Sequence, residues 1–190
     1  MEELPLILAS GSPRRRELLT QAGIPFEVRP ADVDETCALG AREAVAVLSR
    51  RKASAAHALY PGRTVLAADT LVALDDTPLG KPAGTEDAFR MLAALRSRAH
   101  HVHTGVCVIS PDGSVYEGVD TSEVRFGPVT DEEIRAYIRT GEPMDKAGAY
   151  AMQGFAARWI ESVSGSPSGI IGLPLCLTCR LLAESGFFRK

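Results

Sequence analysis

From Thr64 to Leu74 the chain is apolar throughout, apart from Asp69 and Thr70 in its middle. Strands covered on both faces read as near-continuous apolar runs, so this segment predicts a buried strand with a polar interruption. A carboxylate in such a place is costly unless it is paired or bound to a metal. The other reading of Asp69 is an aspartate that starts a turn between two short strands.

The segments around this run mix strand–helix alternation with a hairpin. A short apolar run from Leu4 to Ala9 stops at Ser10-Gly11-Ser12-Pro13. Arg14 to Ala22 then reads as a helix ended by Gly23, with Ser12 at the N-cap and Pro13 at the first helical position. Phe26 to Arg29 is a candidate strand. Ala41 to Leu59 is a long helix with an apolar stripe through Val45, Leu48, Ala55 and Leu59. Thr85 caps a helix whose Ala88, Met91, Leu92 and Leu95 share one face. His101 to Ser110 and Val115 to Phe126 form two strands joined by the turn Pro111-Asp112-Gly113. Thr130 and Glu133 make a capping box ahead of Ile134, Tyr137 and Ile138, and Gly141 ends that helix. Arg158 to Val163 reads as another strand, and Pro174 opens a last helix running to Gly186. This order predicts one α/β or α+β domain, residues 1–190, built around a mixed sheet.

Composition narrows the function classes. The 190 residues suit one globular domain, and 45% hydrophobic with 24% charged residues describes an ordinary soluble protein. No apolar run approaches the roughly 20 residues that cross a bilayer, and no membrane partner is expected. Met1-Glu2-Glu3 carries acid where a signal peptide needs basic residues, which predicts a cytoplasmic protein. A net charge of -3 argues against a nucleic acid polymer as partner, so any bound anion must be held by a local cluster. Cys37, Cys107, Cys176 and Cys179 are too few and scattered for a disulfide framework and read as free thiols.

Several clusters carry candidate chemistry. Ser10-Gly11-Ser12-Pro13 leads into Arg14-Arg15-Arg16, so free backbone N–H groups and three cations meet at a helix start. The helix dipole disfavours cations there unless an anion compensates them, and a triphosphate would. The alternative is a solvated basic patch. Lys52 falls at helical spacing from Val45 and Leu48, on a face that should pack inward, where it must snorkel or meet an anion. Lys81, in Leu79-Gly80-Lys81-Pro82, lies in a loop of the kind that often presents a cation to a ligand, and its other reading is an ordinary exposed loop lysine. Glu35, in the acidic run Asp32-Val33-Asp34-Glu35, is either part of a solvated face or a second oxygen ligand for a hard cation such as magnesium. Cys176 and Cys179 form a C-x-x-C at a helix start, but no second pair completes a zinc site and no redox context surrounds them. His100, His101 and His103 lack identifiable further metal ligands, which favours a partly exposed strand.

Taken together, these segments resemble the Maf family, also called septum-formation inhibitor-like proteins. The resemblance runs over nearly the whole chain and rests on the following segments. Near the N-terminus these are Leu8-Ala9-Ser10-Gly11-Ser12-Pro13-Arg14-Arg15-Arg16-Glu17-Leu18-Leu19, Ala68-Asp69-Thr70, Gly80-Lys81-Pro82 and Thr104-Gly105-Val106. Further on they are Gly141-Glu142-Pro143-Met144-Asp145-Lys146-Ala147-Gly148-Ala149-Tyr150, Gln153-Gly154 and Gly172-Leu173-Pro174-Leu175. The resemblance implies an elongated, twisted mixed sheet flanked by helices, with two lobes and a cleft, similar to the inosine triphosphatases. It implies a nucleoside triphosphate pyrophosphatase that needs a divalent cation, Mg2+ or Mn2+, and releases a nucleoside monophosphate and pyrophosphate. By position Asp69 is similar to the family's proton acceptor, and Asp69 with Glu35 to its metal-holding acids. Arg15, Lys52 and Lys81 are similar to its phosphate-binding cations, with Ser10 and Ser12 in the same turn. Arg14, Thr70 and Gln153 are similar to the set of the dTTP and UTP branch. One departure is visible: Pro167 and Gly169 stand where relatives more often have Tyr and Asn. A house-cleaning pyrophosphatase for modified nucleotides would share every motif. A non-catalytic nucleotide-binding regulator of cell division is the rival from another class, and intact Asp69, Lys52 and Lys81 favour catalysis. A homodimer is compatible with the sequence.

Overall fold

The computed structural model describes residues 5–188, so Leu4 of the opening run and the acidic Met1, Glu2 and Glu3 lie outside the described residues. The chain builds a seven-stranded mixed sheet of order β2-β1-β3-β5-β6-β7, with β4 pairing β3 off this path. The strands are β1 (Leu6–Leu8), β2 (Phe26–Val28), β3 (Val65–Leu74), β4 (Thr77–Leu79), β5 (Ala99–Ile109), β6 (Val115–Phe126) and β7 (Ile160–Ser164). The helices are α1 (Pro13–Gln21), α2 (Ala41–Leu59), α3 (Thr85–Leu95), α4 (Asp131–Arg139), α5 (Pro167–Ile171) and α6 (Leu175–Glu184). Three 3-10 turns, Glu142–Asp145, Ala147–Ala149 and Phe155–Trp159, join α4 to β7.

The predicted central strand organises all of this. Along one edge β3 pairs antiparallel with β5 from Val65↔Ile109 to Ala73↔His101. Its other edge is shared. β1 pairs parallel at Val65 and Leu66, and β4 pairs antiparallel from Val72 to Leu74. Between them, among the described residues, Ala67 to Leu71 have no strand partner on that edge, and the sheet is open where Asp69 and Thr70 sit.

Alternating side chains then distribute the core, because successive residues of a strand point to opposite faces. In the first half of β3, Val65 and Ala67 pack with Ala53 and Ala56 of α2, while Leu66 and Ala68 pack with Leu18 and Leu19 of α1 and Leu181 and Leu182 of α6. In the second half, Val72 and Leu74 join Leu92 and Leu95 of α3 and Ile134 and Tyr137 of α4. Helices therefore cover both faces at one end of the sheet and a different set covers the other end.

The capping box forms as expected: Glu133 N–H donates to Thr130 Oγ1 at 3.2 Å and Thr130 N–H to the Glu133 carboxylate at 2.8 Å. Several expectations are corrected. Gly84, not Thr85, holds the cap position of α3, and Thr85 begins the helix. Ser12 does precede α1, but its hydroxyl accepts nothing from the helix. The buried stripe of α2 runs through Ala41, Ala44, Val45, Leu48, Lys52 and Ala56, leaving Ala55 half-buried and Leu59, the last residue of the helix, at the surface. The last strand starts at Ile160, since Arg158 and Trp159 close a 3-10 turn. The strand carrying the histidines is buried: only His101 of the three is exposed, while His100 and His103 hydrogen-bond Tyr150 and Thr121 at 2.8 and 2.9 Å. β4, the 3-10 turns and α5 had no expectation attached to them. Each is too short or too irregular to show a period.

Candidate active site

Asp69 lies in the middle of an unbroken β3, which excludes its alternative as a turn residue between two strands. It is 8% exposed, on the face that α2 covers. Lys52 comes down from the inward face of α2, as its spacing predicted, and meets partners instead of snorkelling. Its Nζ donates to Asp69 Oδ1 at 2.6 Å and lies 2.8 Å from Glu35 Oε1. The helix can come this close because the cross-strand partner of Asp69 is Gly105. A Cβ on Gly105 would stand 2.2 Å from the carbonyl oxygen of Val45 in α2, nearer than any side chain allows. Removing Lys52 would strand the buried Asp69 carboxylate, whereas without Asp69 the lysine keeps Glu35 as a partner. Glu35 is at the surface, and the hydrogen bond from Lys52 holds its carboxyl below the usual range despite partial burial, helped by the charges of Lys52, Lys81 and Arg15.

On the opposite face Thr70 joins a chain of hydroxyls. Thr104 Oγ1 donates to the Gly169 carbonyl at 2.9 Å, which spends its only hydrogen. The 2.9 Å contact between Thr70 and Thr104 must therefore run from Thr70 as donor. Thr70 Oγ1 in turn accepts from Arg15 Nη2 at 3.2 Å. Arg15 also donates from Nε to the Gly172 carbonyl at 2.8 Å and from Nη1 to Ser10 Oγ at 3.0 Å. A guanidinium has five N–H donors, so one on each terminal nitrogen remains for a ligand. Burial lowers the Arg15 pKa and the nearby Asp69 charge opposes that, and an arginine in this setting stays cationic. Ser10 Oγ also accepts from Ser12 N–H at 3.3 Å, so the serines tighten the turn at the start of α1. At the departure site Ser166 caps α5 through Gly169 N–H at 3.1 Å. A Cβ on Gly169 would meet Asp120 Oδ2 at 2.4 Å, so this loop takes part through its backbone.

These faces meet in a cleft of about 1020 Å³ at the open edge of β3. Ser10, Ser12, Arg14, Arg15, Glu35, Lys52, Asp69, Thr70, Lys81 and Gln153 all line it. Lys81 and Gln153 are exposed there, and neither side chain bonds another described residue. Glu142, Asp145, Lys146 and Tyr150 also line the cleft, and sequence reasoning gave them no role. Their signal was a dense run of charged and small residues without periodicity, the composition of a built loop. Lys146 is tied back to the Asp145 carboxylate and to the Glu142 carbonyl. Cys176 and Cys179 are free, and burial raises the Cys179 thiol, the opposite of a redox-active pair.

Residues 5–185 match the family described as Maf-like protein. A dTTP/UTP pyrophosphatase of Anaeromyxobacter dehalogenans (strain 2CP-C) is 50% identical over 187 residues, covering 96% of this chain and 94% of the relative. A dTTP/UTP pyrophosphatase of Halalkalibacterium halodurans is 45% identical over 185 residues, covering 96% of this chain and 97% of the relative. Among solved structures, a HAM1 protein from Coxiella burnetii is similar at 17% identity and a TM-score of 0.46, covering 95% of this chain and 99% of that one. With the family matched across nearly all of its length and relatives at about half identity, the chain belongs to the Maf family.

Proposed function

We propose that this protein hydrolyses dTTP and UTP to the nucleoside monophosphate and pyrophosphate, by attack of water on the α-phosphorus. The observation that carries the reading is the pairing of Asp69 with Lys52 at the floor of a cleft whose walls bring Arg14, Arg15 and Lys81 to the same space. The names of the relatives in this family support the substrate class.

In this reading water adds to the α-phosphorus and gives its proton to Asp69, the bond from the α-phosphorus to the bridging oxygen breaks, and pyrophosphate leaves with that oxygen. Lys52 engages Asp69 Oδ1, and among the described residues Oδ2 has no protein partner, so it is the oxygen that takes the proton. An ammonium has three hydrogens, and Lys52 directs two at carboxylates, which leaves one for a phosphate oxygen. Arg15 offers its two remaining N–H groups and Lys81 an ammonium with no partner among the described residues, so cations meet the leaving pyrophosphate.

The donor set fits a divalent metal. Asp69 and Glu35 line the same cleft, each with a second carboxylate oxygen that Lys52 does not engage, and hard cations such as Mg2+ or Mn2+ are held by one or two carboxylates together with substrate phosphates. A metal held by these two carboxylates would supply positive charge to the phosphate oxygens and favour the ionised form of the attacking water. For the base, Gln153 offers an amide acceptor and donor, matching the carbonyl and N–H edge of thymine or uracil, while small Thr70 leaves room and Arg14 adds a donor.

Hydrolysis of dTTP in heavy-oxygen water, with magnesium or manganese, tests the reading. Label in the thymidine monophosphate and pyrophosphate as co-product are the expected result. Label in the pyrophosphate, or release of orthophosphate, would overturn it.

A further inference from the structure

Gln153 sits on no regular element, yet a base-reading amide must be held still. It lies between Ala151 and Phe155, and the structure ties down both of those residues. Ala151 N–H donates to Tyr137 Oη at 3.3 Å. Tyr137 Oη donates to Glu142 Oε1 at 2.8 Å. Phe155 N–H donates to the same carboxylate, at 3.2 Å to Oε1 and 3.4 Å to Oε2. Gly154 N–H closes the turn onto the Ala151 carbonyl at 3.1 Å. A Cβ on Gly154 would stand 1.8 Å from Glu142 Oε1, so the carboxylate fills the space that a side chain there would need. The Phe155 ring stacks on Tyr137 at 5.6 Å between centroids and 13° between planes. Tyr137 itself is fully buried on α4. Burial raises its phenol, and the Glu142 charge adds to this, so the hydroxyl keeps the proton it donates.

We infer that the Tyr137–Glu142 pair is a positioning device for Gln153, one that sets base selectivity without touching the nucleotide through Tyr137. The inference rests on the reading of Gln153 as the base-reading residue. Through Tyr137 the pair holds the chain two residues before Gln153, and through Glu142 it holds the chain two residues after. Between these anchors the Gln153 side chain is exposed to the cleft and bonds no other described residue, so its aim is set by the backbone alone.

The test compares kcat/KM for dTTP with that for dCTP in the wild type, Q153A, Y137F, E142A, E142Q and the double variant Y137F/Q153A. Y137F removes one oxygen and keeps the ring packing. It should lower the dTTP:dCTP ratio by roughly tenfold, the scale of one hydrogen bond, and mainly by raising KM for dTTP. E142A should lower the ratio as well, whereas E142Q retains an acceptor at the same position and should preserve it. If Tyr137 acts through Gln153, adding Y137F to Q153A changes the ratio no further. A Y137F enzyme with wild-type selectivity beside a flattened Q153A enzyme would overturn the positioning role, and Y137F decides this even if E142A fails to fold. A Q153A enzyme with wild-type selectivity would overturn the base-reading assignment itself, and the positioning role with it.

Discussion

The two sides of the cleft are built differently. The side proposed to hold phosphate is regular secondary structure: β1 runs into the start of α1, α2 lies across β3 and β5, and the charged groups Lys52, Asp69 and Arg15 are fixed by contacts between residues far apart in the chain. The side proposed to read the base is a string of 3-10 turns whose shape is held by side chains bonding backbone, such as Glu142, which accepts from Phe155 N–H. Phosphate is common to all nucleotides, so its half of the site calls for charge in a fixed place. A base edge is met by a backbone that presents one amide, and a side-chain clasp can tune that without moving a helix.

The sharpest way to break this contrast is at its centre. Asp69→Asn should keep fold and nucleotide binding while turnover falls by roughly 10² to 10⁴, the usual contribution of a positioned base. Steady-state kinetics on folded protein checks it, and wild-type turnover would remove Asp69 from the chemistry.

The base side should also be the acid-sensitive one. His100 packs edge-on against Phe126 and Tyr150, and burial lowers its pKa from 6.5 to about 4. Because the folded pKa is depressed, the unfolded chain takes up the proton first. The stability His100 contributes is complete above 6.5 and is lost as the pH falls to about 4, roughly 3 kcal/mol over that window. Urea unfolding across that range should show the slope in wild type and a shallower one in H100Q. An unchanged slope would assign the acid sensitivity to another group.

Lys52→Ala and Lys81→Ala should each weaken catalysis with every base and leave the dTTP:dCTP ratio alone, by about 10- to 100-fold, with Lys52 the larger because its loss strands two carboxylates. A changed ratio in either would place that lysine at the base. The smallest effect is expected at Thr130→Ala. Losing the cap of α4 should lower Tm by about 2–4 °C with selectivity unchanged, since Tyr137 lies near the other end of that helix.

How much of this was legible in the sequence follows the same division. The apolar run around Asp69, the full length of α2 and the inward Lys52 could be read because buried strands and helices impose a period on the residues that make them. The partners of Lys52 could not be read, since Glu35 reaches it from an irregular segment whose acidic run equally suits a solvated face. The roles of Glu142 and Tyr137 were hidden for a related reason. Tyr137 read only as one apolar face residue of a capped helix, and nothing in its spacing shows where its hydroxyl goes. Thr104 was quoted as a motif residue, but its link to Arg15 passes through Thr70 and exists only once β3 and β5 are paired.

The bare backbone at Gly105 has an awkward implication for anyone screening this enzyme by random mutagenesis. With Val45 O standing where its Cβ would be, no other amino acid fits without pushing α2 off the sheet, and Lys52 would move with it. In a library scored by activity alone, Gly105 would be as intolerant as Asp69 and would pass for a reactive residue, although it has no functional group. Scoring the same library by protein abundance would tell them apart: substitutions at Gly105 should vanish from the folded pool, while Asp69→Asn should stay in it, folded and inactive.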